Sequence, residues 1–364
     1  MSNRWPQWLS VNENLKDLSP YGAPQIPVAI RLNTNENPFS LDSELQRAIL
    51  KEISDQVSHL NRYPDRDAVE LRELLAQFIN ERSGTSFSVE NIWAANGSNE
   101  ILQSIALAFQ GDAMGFEPSY SMHPLISKSV GKKWIPIPRS KDFSFNLDTA
   151  IAAIKEQRPG LVFLTTPNNP TGDSISLQEI AQVAQVALNV GALVIVDEAY
   201  AEFSNKASAV TLLNHHPNLI ISRTMSKAFA FAGARLGYMI ASKTLVEAML
   251  LVRLPYHLSD LTQAAARAAL RNRESLQREV EQLKVSRDSL ISELKDLGLQ
   301  VIDSDANFVL FSGFEIPASR LWQDLVDKGV LIRDVGIPEH LRVTVGTAEE
   351  NQGFIAALRQ ILQR

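Results

Sequence analysis

The sequence predicts an α/β protein: a large domain on a mostly parallel central sheet flanked by helices, with a smaller α+β domain. Three observations carry that expectation. Apolar runs of strand length alternate with helical patterns through the middle of the chain. The polar residues of chemical interest fall directly after those runs. Past about residue 270 the pattern changes to a leucine-striped helix followed by short strand-like runs. Strand, helix, strand in repetition is the signature of a parallel sheet covered on both faces.

Taken in order, the first 30 residues, with Trp5, Trp8 and several prolines, read as an arm that needs a docking surface to be ordered. Next, LNTNENP reads as the first strand of the folded part. AANGSNEIL places Gly97, Ser98 and Asn99 at a strand-to-helix junction. The run Leu161–Thr165 is apolar and ends in the turn signal PNNPTG. A helical segment from about Leu177 to Val190 is closed by Gly191. Ala192–Val196 is a second buried strand, ending in Asp197-Glu198, and Leu219–Ser222 is a third. Leu276, Val280, Leu283, Leu290, Leu294 and Leu297 then share one stripe at helical spacing, which reads as a core-facing helix rather than a coiled coil. The runs LQVIDSDANFVLFSG, GVLIRDVG and LRVTVG read as strands of a smaller sheet, closed by a terminal helix. The resulting division is an arm over 1–30, a small domain from 31–45 and 268–364, and a large domain over 46–267.

Composition narrows the function. A chain of 364 residues allows about two domains at roughly 150 residues each. Its 45% hydrophobic and 21% charged residues are ordinary for a globular protein. A formal charge of -6 argues against nucleic acid or an anionic membrane as the main partner. There are no cysteines, which excludes disulfides, thiolate nucleophiles and cysteine-based metal sites. No stretch approaches the roughly 20 apolar residues of a membrane span, and the N-terminus lacks a signal-peptide pattern, so a cytoplasmic location is expected. The six histidines show no metal-ligand spacing, so no metal is expected. Neither GxGxxG after a strand nor a Walker A sequence occurs, and TMSK is not the SxxK of serine acyl-enzymes, because Thr224 stands at the serine position.

The chemistry centres on SRTMSKAFAFAGARLGY. Lysines are rarely buried without a reason, and most lie on the surface with the stem over apolar neighbours. Lys227, set among alanines and phenylalanines, would be desolvated, which lowers the pKa and makes the amine a nucleophile toward carbonyls. An aldehyde cofactor such as pyridoxal phosphate also needs a carboxylate at its ring nitrogen, donors at its phenolic oxygen and a phosphate cup. Asp197, ending an apolar strand in VDEAY, supplies the carboxylate, although a strand-end aspartate also serves as a turn former. Tyr200 and Asn169 are candidate donors to the phenolic oxygen. Gly97, Ser98 and Asn99 at a helix start, with Thr224, Ser226 and Arg235, would complete the cup.

In this order and spacing, NNPTG, VDEAY, SRTMSKAF and GARLGY resemble fold-type I pyridoxal-phosphate aminotransferases, from LNTNENP to VTVGTAEEN. Each motif alone is weak; the ordered set is specific. Within that superfamily, SPYGAP, LNRYPD, PSYSMHP, LPYHLS, LIRDVG and RVTVGTAEEN are similar to the histidinol-phosphate aminotransferase family, most of all its actinobacterial branch. The resemblance implies pyridoxal 5'-phosphate on Lys227 and transamination between L-histidinol phosphate and 2-oxoglutarate in histidine biosynthesis. Carried over by position, it implies that Tyr120 stacks on the cofactor ring and that Tyr63 reaches the cofactor phosphate of a neighbouring subunit in a homodimer. It implies that Arg342 holds a substrate carboxylate, Arg333 a substrate phosphate, and that Tyr21, Asn35 and Tyr256 belong to the substrate pocket. Tyr21 and Tyr256 have a plain packing role as the alternative, and Arg333 a pairing with Asp334. Ala348 departs from the arginine that some members carry there, which puts acceptor preference in doubt. The alternative function is an aromatic amino-acid aminotransferase of the same fold, followed by a decarboxylase of a phosphorylated substrate. A pyridoxal-phosphate-binding transcription regulator would need a DNA-binding domain, for which the 30 leading residues leave little room.

Overall fold

The computed structural model describes residues 5, 6 and 8–363. From the N-terminus, β1 (Ile30–Arg31) is followed by α1 (Ser43–Val57), α2 (Val69–Ser83), β2 (Ile92–Ala95), α3 (Ser98–Ala108), β3 (Ala113–Glu117) and α4 (Met122–Ser129). Then come β4 (Trp134–Pro138), α5 (Leu147–Gln157), β5 (Leu161–Thr165), α6 (Leu177–Val190), β6 (Leu193–Asp197), β7 (Leu219–Thr224) and β8 (Gly237–Ala241). The rest is α7 (Lys243–Val252), α8 (Asp260–Arg271), α9 (Glu274–Asp296), β9 (Gln300–Val301), β10 (Phe308–Ser312), α10 (Ala318–Asp327), β11 (Val330–Leu331), β12 (Arg333–Asp334), β13 (Leu341–Thr344) and α11 (Ala348–Leu362).

Seven strands form the main sheet in the order β2-β8-β7-β6-β5-β3-β4. Its pairs are parallel from β7 through β6, β5 and β3 to β4, while β8 runs antiparallel to both β2 and β7. The strands β5 and β7 are buried along their whole length, the pattern required when helices cover both faces. Because parallel strands point the same way, the ends of β5, β6 and β7 deliver Asn169, Asp197 and Thr224 to one edge of the sheet. Local sequence sets the helix boundaries. Ser176 and Glu179 form a reciprocal capping box at the start of α6, and Gly191 closes it in the left-handed region.

The C-terminal part forms an antiparallel sheet, β12-β13-β10-β9, backed by α10 and α11. The leucine stripe of α9 faces the core, with Leu276, Val280, Leu283, Leu290 and Leu294 all buried. LNTNENP departs from its expected strand. The pairing strand β1 ends at Arg31, beside β11, and the Asn-rich segment continues as loop. The cause is local: Asn35 takes a φ of 55°, a left-handed conformation that asparagine tolerates and a strand does not. This loop crosses from one sheet to the cavity. In the leading segment, Asn14 Nδ2 donates to the carbonyls of Lys128 and Ser129 at the end of α4, at 2.8 and 3.0 Å. Among the described residues no helix is long and apolar enough to cross a membrane.

Candidate active site

A cavity of about 550 Å3 opens where β5, β6 and β7 end, roofed by the 33–36 loop and by β12 and β13. Lys227 follows β7 by three residues and stands partly buried in the cavity wall. Burial, then the charge of Arg342, bring its amine down to about 8; Glu36 opposes this and Arg235 adds a smaller push in the same direction as Arg342. Its Nζ donates to the carbonyl of Thr34 at 2.9 Å.

At the floor, Asp197 is 2% exposed. Among the described residues no lysine or arginine pairs with it. His123 Nε2 approaches Oδ2 at 3.0 Å, and the amide of Ala199 donates to Oδ1 at 3.2 Å. His123 is itself buried and stacks on Phe163, with centroids 4.9 Å apart. Histidine spacing alone does not single out His123, whose partner Asp197 lies 74 residues away. Its signal was a histidine within the apolar-faced start of α4 in PSYSMHP.

The third wall is the start of α3. Gly97, at a φ of 87°, turns the chain from β2 so that the backbone N–H groups of the first turn face the cavity beside Ser98 and Asn99. A Cβ at Gly97 would stand 2.5 Å from Arg235 Nη2, so the close approach of this guanidinium requires glycine. Across from it, the Thr224 hydroxyl donates to Ser226 Oγ at 3.0 Å, and Arg235 Nη1 approaches Ser226 Oγ at 3.4 Å. Tyr120, at the mouth of α4, donates its hydroxyl to Asn99 Oδ1 at 3.2 Å. Burial, followed by the neighbouring Tyr200, pushes the pKa of that phenol up and keeps it protonated.

The roof comes from the smaller sheet. Arg333 and Arg342 are directly opposed partners in the β12–β13 pairing. Arg342 donates from Nη1 to Asn169 Oδ1 at 2.5 Å and from Nη2 to the Asn33 carbonyl at 2.8 Å. Burial is the main reason that its guanidinium falls to about 10; Tyr200 opposes this and Arg333 adds to it. Arg342 Nε and Arg333 Nη1 are buried without an acceptor among the described residues. Asn35 braces the set: its Nδ2 donates to Tyr200 Oη at 2.9 Å, and Thr344 Oγ1 donates to its Oδ1 at 3.0 Å. Tyr21 lies under Arg333, the guanidinium carbon 6.0 Å from the ring centroid. Arg333 therefore faces an aromatic ring and the cavity, and it makes no ion pair with Asp334, whose Oδ1 instead accepts from the Gly336 amide at 2.8 Å.

Of the expected residues, Gly97 stands just behind the lining, and Tyr63 and Tyr256 lie away from this chain's cavity. They stack on each other, centroids 4.3 Å apart, and Tyr63 is 79% exposed. A second group missed by the sequence reading is the buried cluster behind the floor. Arg223 donates from Nε to Glu198 at 2.9 Å and from Nη1 to Glu202 at 2.6 Å, tying the end of β7 to the segment after β6. It holds Asp197 and Thr224 at a fixed separation, which a reading focused on cavity chemistry does not find.

These groups fit pyridoxal phosphate. A buried carboxylate with no lysine or arginine beside it suits a protonated ring nitrogen, and a desolvated amine suits an aldehyde carbon. The amides of a helix start, two hydroxyls and a guanidinium suit a phosphate dianion. The model of the family described as "Aminotransferase class I and II" matches residues 27–358. The chain belongs to the class I and II aminotransferases.

Among curated members of this aminotransferase family, the histidinol-phosphate aminotransferase of Mycolicibacterium smegmatis is 52% identical over 354 residues, 96% of this chain and 92% of that protein. That of Rhodococcus opacus is also 52% identical, over 97% of this chain and 93% of its own length. Among solved structures, histidinol-phosphate aminotransferase from Sinorhizobium meliloti in complex with pyridoxal-5'-phosphate has a TM-score of 0.84 at 25% identity, covering 97% of this chain and 98% of that one. Thermus thermophilus aspartate aminotransferase, at 21% identity and a TM-score of 0.83, shares the fold. This aminotransferase uses pyridoxal phosphate as cofactor.

Proposed function

We propose that this chain is the histidinol-phosphate aminotransferase of histidine biosynthesis, moving an amino group between L-histidinol phosphate and 2-oxoglutarate in the cytoplasm. The observation that carries the reading is the opposed pair Arg333 and Arg342 above Lys227, each with a buried N–H lacking an acceptor. One substrate brings a phosphate and no carboxylate, the other two carboxylates, so both demand a shared cationic roof. The full-length relatives near 50% identity carry the same name.

When bound, the cofactor supplies an aldehyde carbon and an electron-accepting ring. The protein supplies the rest. Asp197 would pair with the ring nitrogen, and His123 would hold that carboxylate in place. Tyr200 and Asn169 would face the phenolic oxygen, and Tyr120 the ring. The Lys227 amine would act first as base at the amine-bearing carbon of the substrate and then, as the ammonium so formed, as the acid that gives the proton back. An amine near 8 is unprotonated in about a fifth of molecules at pH 7.4, against about one in a thousand at the ordinary lysine value.

The second half of the proposal is a homodimer with shared sites. Tyr63 and Tyr256 project from a surface that also carries Leu251 and Leu254, 87% and 74% exposed. An apolar patch of this kind marks an interface, and Tyr63 would complete the phosphate cup of the other subunit. The arm and the two-domain division at residues 31–45, 46–267 and 268–364 belong to the same reading.

The test is a half-reaction. Loaded protein receives L-histidinol phosphate, then in a separate run L-phenylalanine, with no keto acid, while the visible cofactor band is followed. Rapid bleaching at low histidinol phosphate with a far weaker response to phenylalanine is the expected result. The reverse order would move the function to aromatic amino acids.

A further inference from the structure

The cavity's polar groups are not all used by the cofactor and the anionic ends of the substrates. Among its acidic lining residues, Asp197 is committed to His123 and the cofactor, and Asp334 is turned into its own loop by the Gly336 amide. Glu36 is neither. It lies in the loop after β1, exposed at the rim of the cavity it helps to line, and its Oε2 accepts from Thr34 Oγ1 at 3.0 Å. Its Oε1 has no partner among the described residues. The same Thr34 gives its carbonyl to Lys227 Nζ, so Glu36 hangs at the substrate side of the reacting amine. In the electrostatics of Lys227, Glu36 is the one acidic group opposing Arg342 and Arg235.

A carboxylate in a roof otherwise designed for anions is a puzzle unless a substrate brings a positive or hydrogen-donating end. We propose that Glu36 is a specificity-determining residue, whose free carboxylate oxygen accepts from the nitrogen-bearing ring of the amino donor and repels dicarboxylates. The inference deepens the histidinol-phosphate reading and rests on it. An imidazole N–H paired with a carboxylate is favoured, whereas the second carboxylate of glutamate or 2-oxoglutarate meets a like charge there. Selection by a repulsive element explains how one cavity ranks two substrates that share the same arginines.

The experiment measures binding to the loaded enzyme of two ligands that lack an amine and cannot react: 3-(imidazol-4-yl)propyl phosphate and glutarate. Both are titrated by calorimetry into the wild type, Glu36→Gln and Glu36→Asp. Steady-state rates with L-histidinol phosphate and L-glutamate accompany them. Glu36→Gln is expected to weaken the imidazole phosphate on the order of tenfold while glutarate binds equally or more tightly. Glu36→Asp is expected to recover part of the difference. Parallel loss for both ligands, or no change in either, overturns the inference while leaving the parent reading intact. A wild type that turns over no histidinol phosphate overturns both. Opposite movement of the two affinities is a result that a purely structural role for Glu36 cannot produce.

Discussion

Replacing Lys227 by methionine should stabilise the cofactor-free protein near neutral pH even as it abolishes turnover. The amine sits at about 8 rather than at 10.5, because burial and the cations Arg342 and Arg235 disfavour its charged form. A displacement of that size corresponds to about 3 kcal/mol at roughly 1.4 kcal/mol per unit. Since the folded value is depressed, the unfolded chain binds more protons between pH 8 and 10.5, and stability rises with pH across that window. Below pH 8 the amine is charged in both states and the full penalty is present. Methionine removes the charge and keeps an unbranched chain, but it forfeits the Nζ bond to Thr34, worth about 1 kcal/mol. The net expectation is a gain of about 2 kcal/mol at pH 7 that shrinks toward zero, or reverses, by pH 10. Urea denaturation of both cofactor-free proteins at pH 7 and pH 9.5 measures it, and the difference between them cancels other titrations. A destabilised variant at pH 7, or a gain independent of pH, would refute the desolvated-amine account of this site.

Further outcomes follow from the same geometry. His123→Leu leaves Asp197 Oδ2 without its partner, and a lost hydrogen bond to a buried charge costs about 1.5–3 kcal/mol. Cofactor affinity, read by equilibrium dialysis against the visible band, should fall by about ten- to a hundredfold, with retained affinity marking Asp197 as self-sufficient. Gly97→Ala places a Cβ 2.5 Å from Arg235 Nη2 at a φ of 87°, so both thermal stability and phosphate-dependent cofactor binding should drop. Unchanged binding would remove Arg235 from the cup. Arg342→Met should raise KM for glutamate by one to two orders of magnitude, since a buried charge-assisted pair is lost. Tyr63→Phe, remote from its own cavity, should weaken cofactor retention only if subunits share sites, and a mixed dimer with Lys227→Ala should then recover one competent site.

What could be read from the sequence and what could not divide along a physical line. Asp197, Lys227 and Asn169 were legible because each ends a run whose apolar period already fixes the strand, and a parallel sheet sends strand ends to one edge. The leucine stripe of α9 was legible for the same reason: periodicity reports burial directly. His123, Arg223 and Glu198 were not, because their roles depend on partners from other elements, 74 residues away for His123 and Asp197. LNTNENP misled for the opposite reason. Its apolar neighbours suggest a strand, but the structure uses the left-handed tolerance of Asn35 to lower the loop onto Tyr200 and to set Glu36 beside Lys227. That loop is where local propensity yields to the site. Its start is fixed by β1 on β11 and its middle by the Asn35 bonds to Tyr200 and Thr344, which set the backbone that presents Glu36 to the cavity mouth. The opposite response of two unreactive ligands to Glu36→Gln therefore tests whether the loop's departure from strand geometry serves substrate choice.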